Sequence, residues 1–274
     1  MPSTAPLIAV DIGNSRMKFG LFVDAAARAK STAQTSPLPE PARTLYLAQH
    51  DGDVEQLHGW LDDFAVADAD WWIASVNRPA ATRLIDWLRD QRATPRTRLL
   101  YSGDLPLAVE LPRPDMVGID RLLGAVAANA LREPSRPAAI VHLGSAITVN
   151  FVSASGAFCG GAILPGIAMS ARALHEFTDL LPLVELEQLA DPPSALGTST
   201  PHAIESGVFW GAIGAARELI ARLGNDTAVA PQVFLTGGAA ASVASLLAPD
   251  ASYLPHLVLS GVALAVRQLD QAQR

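Results

Sequence analysis

LIAVDIGNSRMKFGLF, residues 7–22, runs from an apolar strand through Asp11-Ile12-Gly13-Asn14-Ser15 into a second strand that carries a lone Lys18. Short segments rich in strand formers on both sides of a glycine turn predict a β-hairpin over residues 5–23. A second stretch, IVHLGSAITVNFV at 140–152, repeats strand, glycine turn and strand with His142 where the first has Asp11. QVFLTGG at 232–238 ends a third apolar strand in glycines. Glycine lets a ligand approach the backbone closely, and exposed N–H groups in such turns can hold phosphate oxygens. Each turn alone is equally compatible with a structural hairpin. The chain has no GxxxxGK[ST] loop and no GxGxxG, so neither a P-loop nor a dinucleotide fold is indicated.

The rest of the chain alternates strands with helices. A helix over 53–65 carries Val54, Leu57, Leu61 and Phe64 at helical spacing, and ADWWIASVN follows as a strand ending in Ser75, Val76 and Asn77. Helix and strand repeat at 80–92 and 97–101, and residues 28–43 read as a loop before a short strand near TLYLAQ. The tryptophans read as core residues. Asp120 opens a small-residue helix, RLLGAVAANAL, as an N-cap would. Strands at 138–143 and 146–153 precede a GGAILPG turn, a helix at 167–177, and a long helical stretch stopped by Gly224-Asn225. PHLVLSGVALAVRQLDQ closes the chain as a helix.

Length and composition narrow the class. The 274 residues, 50% of them hydrophobic, suit an α/β protein of two domains, and prolines 106, 112 and 114 place the boundary so that residues 1–115 and 116–274 separate. Cys159, the single cysteine, cannot pair within the chain, which fits a reducing, cytoplasmic location. The N-terminus lacks a basic start and cleavage region, and no apolar run reaches about 18 residues, so neither export nor membrane insertion is expected. With a net charge of −7 and no dense Lys/Arg cluster, a small polar ligand is a better expectation than nucleic acid.

Four motifs in order, DxGNSxxK at Asp11–Lys18, GxDR at Gly118–Arg121, GGxIxPG at Gly160–Gly166 and TGG at Thr236–Gly238, resemble the type III pantothenate kinase family, including its Bvg accessory factor relatives. The resemblance spans roughly residues 7–265. It implies the fold of the acetate and sugar kinase, Hsp70 and actin superfamily, with two RNase H-like domains and a homodimer whose cleft binds pantothenate and ATP. It implies that Asp11 helps place a magnesium ion, that Gly13, Asn14, Ser15 and Lys18 hold phosphate, and that Ser145 with Thr236, Gly237 and Gly238 completes the nucleotide site. Asp120 resembles the general base acting on the primary hydroxyl of pantothenate. Gly118, Arg121 and Thr200 resemble substrate-binding residues, Thr200 reaching from the partner subunit; read alone, Thr200 is a helix N-cap.

The chain departs from the family pattern twice. The family's second hairpin commonly reads DxGTATTxD, whereas here His142 and Asn150 replace both carboxylates. Magnesium and potassium favour oxygen ligands, so the metal or monovalent cation site (K+ or NH4+) that the resemblance implies there is expected to be weakened or absent; His142 reads as a buried neutral histidine or as an imidazolium facing phosphate. Before GxDR, Leu111 and Arg113 stand where the family has tyrosine and asparagine. These departures leave two further readings open: a catalytically weakened nucleotide-binding regulatory relative, and a kinase for a related small acid alcohol.

Overall fold

The computed structural model describes residues 5–23, 38–48, 53–62, 69–90, 96–185, 191–225, 227–238 and 241–272. Its contacts form two compact units, one drawn from the described residues within 1–107, 113–131 and 256–274, the other from those within 108–112 and 132–255.

The first unit is a five-stranded sheet. The hairpin of β1 (Leu7–Ile12) and β2 (Arg16–Phe22) forms where the sequence predicts it, and β3 (Arg43–Ala48), β4 (Asp70–Ser75) and β5 (Arg96–Leu99) extend it in the order β3-β2-β1-β4-β5. The β1–β2 and β2–β3 pairs are antiparallel, and β1–β4 and β4–β5 are parallel. Strand alternation sends Ile8, Val10 and Ile12 to one face, with Phe19, Trp71 and Ile73. That face packs on Leu57 and Trp60 of α1 (Asp53–Asp62) and Leu84 and Leu88 of α2 (Arg78–Asp90). Phe19 meets Trp71 edge-on with centroids 6.4 Å apart, so these tryptophans are core residues. Asn77 is not strand: β4 ends at Ser75, and Asn77 Oδ1 accepts from Ala80 N at 3.2 Å at the start of α2. Residues 28–37 of the expected loop and Phe64 lie outside the described residues.

The opposite face carries Ala9, Asp11, Lys18 and Gly20, and it is covered by α7 (Leu257–Ala272), whose Leu259 sits against Gly20. Beside α7 lies α3 (Ile119–Leu131), its Leu122–Ala128 segment buried. The contact division therefore does not follow the single cut expected at 115/116. Apolar faces of α3 and α7 bury themselves on this sheet, which draws residues 113–131 and 256–274 into the first unit.

The second unit repeats the plan. Strands β6 (Ala138–Leu143), β7 (Ala146–Val152), β8 (Phe158–Pro165), β9 (Gln232–Gly237) and β10 (Ser252–Tyr253) run in the order β10-β9-β6-β7-β8. Again the first three in sequence are antiparallel neighbours and the last two add in parallel. Val141, Leu143, Ile147, Val149 and Leu235 form one face, packed on Phe209, Ile213 and Ile220 of α5 (Thr200–Gly224) and on α6 (Ala241–Leu247). The GGAILPG stretch is not a turn but the end of strand β8, because residues 160–165 pair in register with β7; the turn comes at Gly166, which opens α4 (Ile167–Glu176). Two sheets of this order and sense match the expectation of two RNase H-like halves.

Candidate active site

The first hairpin answers the question its charges pose. Asp11 and Lys18 are directly opposed in the β1–β2 register, and Lys18 Nζ lies 3.5 Å from Asp11 Oδ2. Alternation turns both toward the face away from the Trp71 core, with the Asp11 side chain only 5% exposed and that of Lys18 18%. The link between the strands is closed by Gly13 N donating to Arg16 O at 3.0 Å, which leaves Asn14 and Ser15 exposed at the tip. A buried carboxylate needs a partner, and Lys18 supplies it.

Asp120 and Arg121 come from the first turn of α3. The helix begins at Ile119, so Asp120 lies within the turn and is not the cap; Arg121 N donates to Gly118 O at 3.1 Å. Gly118 leaves the Asp120 carboxylate room for its position: a Cβ at residue 118 would stand 2.6 Å from Asp120 Oδ1. Burial, and next the negative charge of Asp11, push the Asp120 carboxyl above its ordinary value against the pull of the Arg121 N–H and guanidinium and of Lys18. Burial lowers the Arg121 pKa, with Asp120 opposing. Asp11, Gly13, Asn14, Ser15, Lys18, Gly118, Asp120 and Arg121 thus all belong to the first unit.

Two residues beside Lys18 escaped the sequence reading. Tyr46 is the β3 register partner of Lys18, and its hydroxyl lies 2.9 Å from Nδ1 of His256 just before α7. The two rings stack with centroids 6.4 Å apart. Burial lowers the His256 pKa, Glu40 opposes this, and the Lys18 charge adds to it. No local pattern announces this pair, because its members are 210 residues apart.

Ser145, Thr200, Thr236, Gly237 and Gly238 belong to the second unit. Three of its turns are tied together: Gly166 N donates to Ser145 O at 3.1 Å and Gly238 N to Leu143 O at 3.0 Å. Gly237 has φ of +112°, a backbone that favours glycine. Thr200 is exposed as the first residue of α5 and is not the N-cap; Ser199 is, accepting from His202 N at 3.4 Å. A cavity of about 660 Å³ lined by Trp72, Arg98, Tyr101 and Leu269 holds none of these residues.

Known proteins place the chain. The family model described as type III pantothenate kinase matches residues 7–222. A type III pantothenate kinase of Dehalococcoides mccartyi is 32% identical over 97% of this chain and 98% of its own length. Another from Rubrobacter xylanophilus is 34% identical over 93% and 95%. Among solved structures, a protein described as a Baf family transcriptional activator from Campylobacter jejuni superposes with a TM-score of 0.56 at 21% identity, covering 96% of this chain and 98% of that one. A 2-dehydro-3-deoxygalactonokinase fold from Sinorhizobium meliloti gives 0.51 at 13% identity, over 96% and 99%. The two solved structures share the fold. With identity of this order running nearly end to end through the hairpin, GxDR and TGG segments, the chain belongs to the type III pantothenate kinase family.

Proposed function

We propose that this protein transfers the γ-phosphoryl group of ATP to the primary hydroxyl of pantothenate, giving 4'-phosphopantothenate in the first step of coenzyme A biosynthesis. The observation that carries the reading is the grouping of Asp11, Lys18 and Asp120 in one unit, with Asp120 made more basic by burial and by Asp11. In-line transfer needs positioning and charge stabilisation more than covalent help from the protein. Asp120 takes the hydroxyl proton as the oxygen attacks the γ-phosphorus; the new P–O bond forms while the bond to the β,γ-bridging oxygen breaks and ADP leaves. Lys18 and the Gly13–Ser15 turn, Gly13 closing it and Asn14 and Ser15 presenting their N–H groups, offset the phosphate charge. Ser145, Thr236, Gly237 and Gly238 are assigned to the nucleotide, and Gly118, Arg121 and Thr200 to pantothenate, Arg121 through the substrate carboxylate or a nearby phosphate.

Asp11 fits a magnesium ion. Magnesium takes one or two carboxylates together with substrate phosphates, and Asp11 is a buried carboxylate beside Lys18 on the sheet face away from the Trp71 core. When bound, the ion neutralises charge on the transferring phosphates. We place the active protein in the cytoplasm as a homodimer. Ile163, Met169, Phe177, Leu180 and Leu196 of the second unit are exposed apolar side chains that a second copy would cover. No described helix is long and apolar enough to cross a membrane.

The test is ATP- and magnesium-dependent phosphorylation of pantothenate by the purified protein, with Asp120→Asn alongside. No turnover, or unchanged turnover in the variant, would sink the mechanism. Loss of both carboxylates at His142 and Asn150 favours one rival, a regulatory relative that binds nucleotide without efficient chemistry; rescue of a strain lacking pantothenate kinase would exclude it. Pantoate and simple sugars offered in the same assay separate a kinase for another acid alcohol.

A further inference from the structure

In the second sheet, His142 is the β6 partner of both Thr148 on β7 and Thr236 on β9, so the three stand in one row. Alternation turns this row away from the Val141 and Leu143 core, together with Asn150. The neighbours are buried, Asn150 to 1%, Thr236 to 2% and Thr148 to 8% exposure. The row is the second unit's counterpart of Asp11 and Lys18, and it contains no carboxylate.

A hard monovalent cation does not fit these groups. Potassium and ammonium are held by oxygens, preferably with an anionic one among them, and an imidazole is a poor substitute. Thr148 Oγ1 already accepts from Asn150 Nδ2 at 3.0 Å. A cation placed beside the half-buried His142 and its buried Thr148, Asn150 and Thr236 neighbours, with no carboxylate in the row, would lack compensation for its lost hydration. Space is short as well. The His142 ring lies against both glycine turns, with Nε2 3.4 Å from where a Cβ at 144 would stand and Cδ2 3.0 Å from one at 237. Among the described residues no group of three His, Cys, Asp or Glu side chains could hold a metal ion.

We infer that the His142 imidazole, packed between the 143–146 and 236–238 turns, takes the structural place of a monovalent cation, and that nucleotide use by this protein is independent of K+ and NH4+. The two turns are held by the imidazole and by the Gly238–Leu143 and Gly166–Ser145 hydrogen bonds. The inference rests on the kinase reading above for its activity readout, and nucleotide affinity reads it separately.

Purified protein is assayed with ATP, magnesium and pantothenate in tetramethylammonium buffer, with and without KCl or NH4Cl at matched ionic strength. A fluorescent non-hydrolysable ATP analogue is titrated in the same buffers. Rates and Kd that agree within about twofold across the salts support the inference, whereas a change of about tenfold or more in either, the equivalent of about 1.4 kcal/mol, overturns it. Absence of turnover in every salt with an unchanged Kd refutes the kinase reading and supports cation independence. His142→Asp, alone and with Asn150→Asp, supplies an anionic oxygen and is expected to create a K+-dependent Kd; thermal melting confirms that each variant folds.

Discussion

Gly118 and Asp120 share one space: a Cβ on residue 118 would stand 2.6 Å from Asp120 Oδ1, inside any tolerable contact. The glycine of GxDR thus acts on the carboxylate two residues later, by leaving room for the position it occupies. Gly118→Ala is expected to rotate that carboxylate away and to lower kcat by about 100-fold, the scale of a displacement of about 1 Å at a reacting group. Steady-state kinetics beside a melting curve check this, with KM for ATP and Tm little changed; full activity would remove Asp120 from the chemistry or show that its position has slack.

Asp120 also couples stability to pH. Its folded-state pKa is raised, so between the ordinary carboxylate value and that raised value the native state binds more protons than the unfolded chain. Stability from this group is therefore lost as pH rises through the window. Asp120→Asn cannot titrate, and it should raise Tm relative to the parent at neutral pH and lose that advantage below the ordinary carboxylate range. Melting curves at a series of pH values decide it: a variant less stable at pH 7 contradicts the burial account.

Removing Lys18 affects two charges at once. Lys18→Met leaves Asp11 buried without its cation and, on the proposed function, removes a donor for phosphate. The expected loss in kcat/KM for ATP is about 100-fold or more, the scale of one missing charge-stabilising donor. Arginine at 18 should restore part of it; if methionine and arginine behave alike, charge is not what position 18 contributes.

Helices α3 and α7 touch through backbone. A Cβ at Gly261 would meet Leu123 O at 2.2 Å, and both residues are buried. Gly261→Ala must part the helices, and a cost of about 1–3 kcal/mol is expected for such overpacking. Urea unfolding measures it, and a neutral result would mean that the helices are free to separate.

Much of the architecture follows from short-range pattern. The hairpins at 7–22 and 138–152 are legible because strand-forming residues flank glycine turns, and the end of the long helix because Gly224-Asn225 is a stop signal. The misreadings share one cause. GGAILPG looks like a turn by composition, yet residues 160–165 are held extended by pairing with β7, and that pairing partner lies outside the local window. The cap at α5 fell to Ser199 and not Thr200 because serine and threonine in succession offer equal local signals, and only backbone geometry chooses between them.

The sequence alone determined the residue types at each glycine turn, the presence of Asp11, Lys18 and GxDR, and the loss of both carboxylates from the second hairpin. Those are properties of position along the chain. Tertiary structure decided that Asp11 and Lys18 pair across a sheet, that Asp120 is pushed up by burial and by Asp11 from more than a hundred residues away, and that Tyr46 meets His256 beside Lys18. Burial, field and register depend on which surfaces meet when apolar faces leave water, and α3 and α7 join the first sheet for that reason. Distance in space, not order in sequence, sets the chemistry of the site.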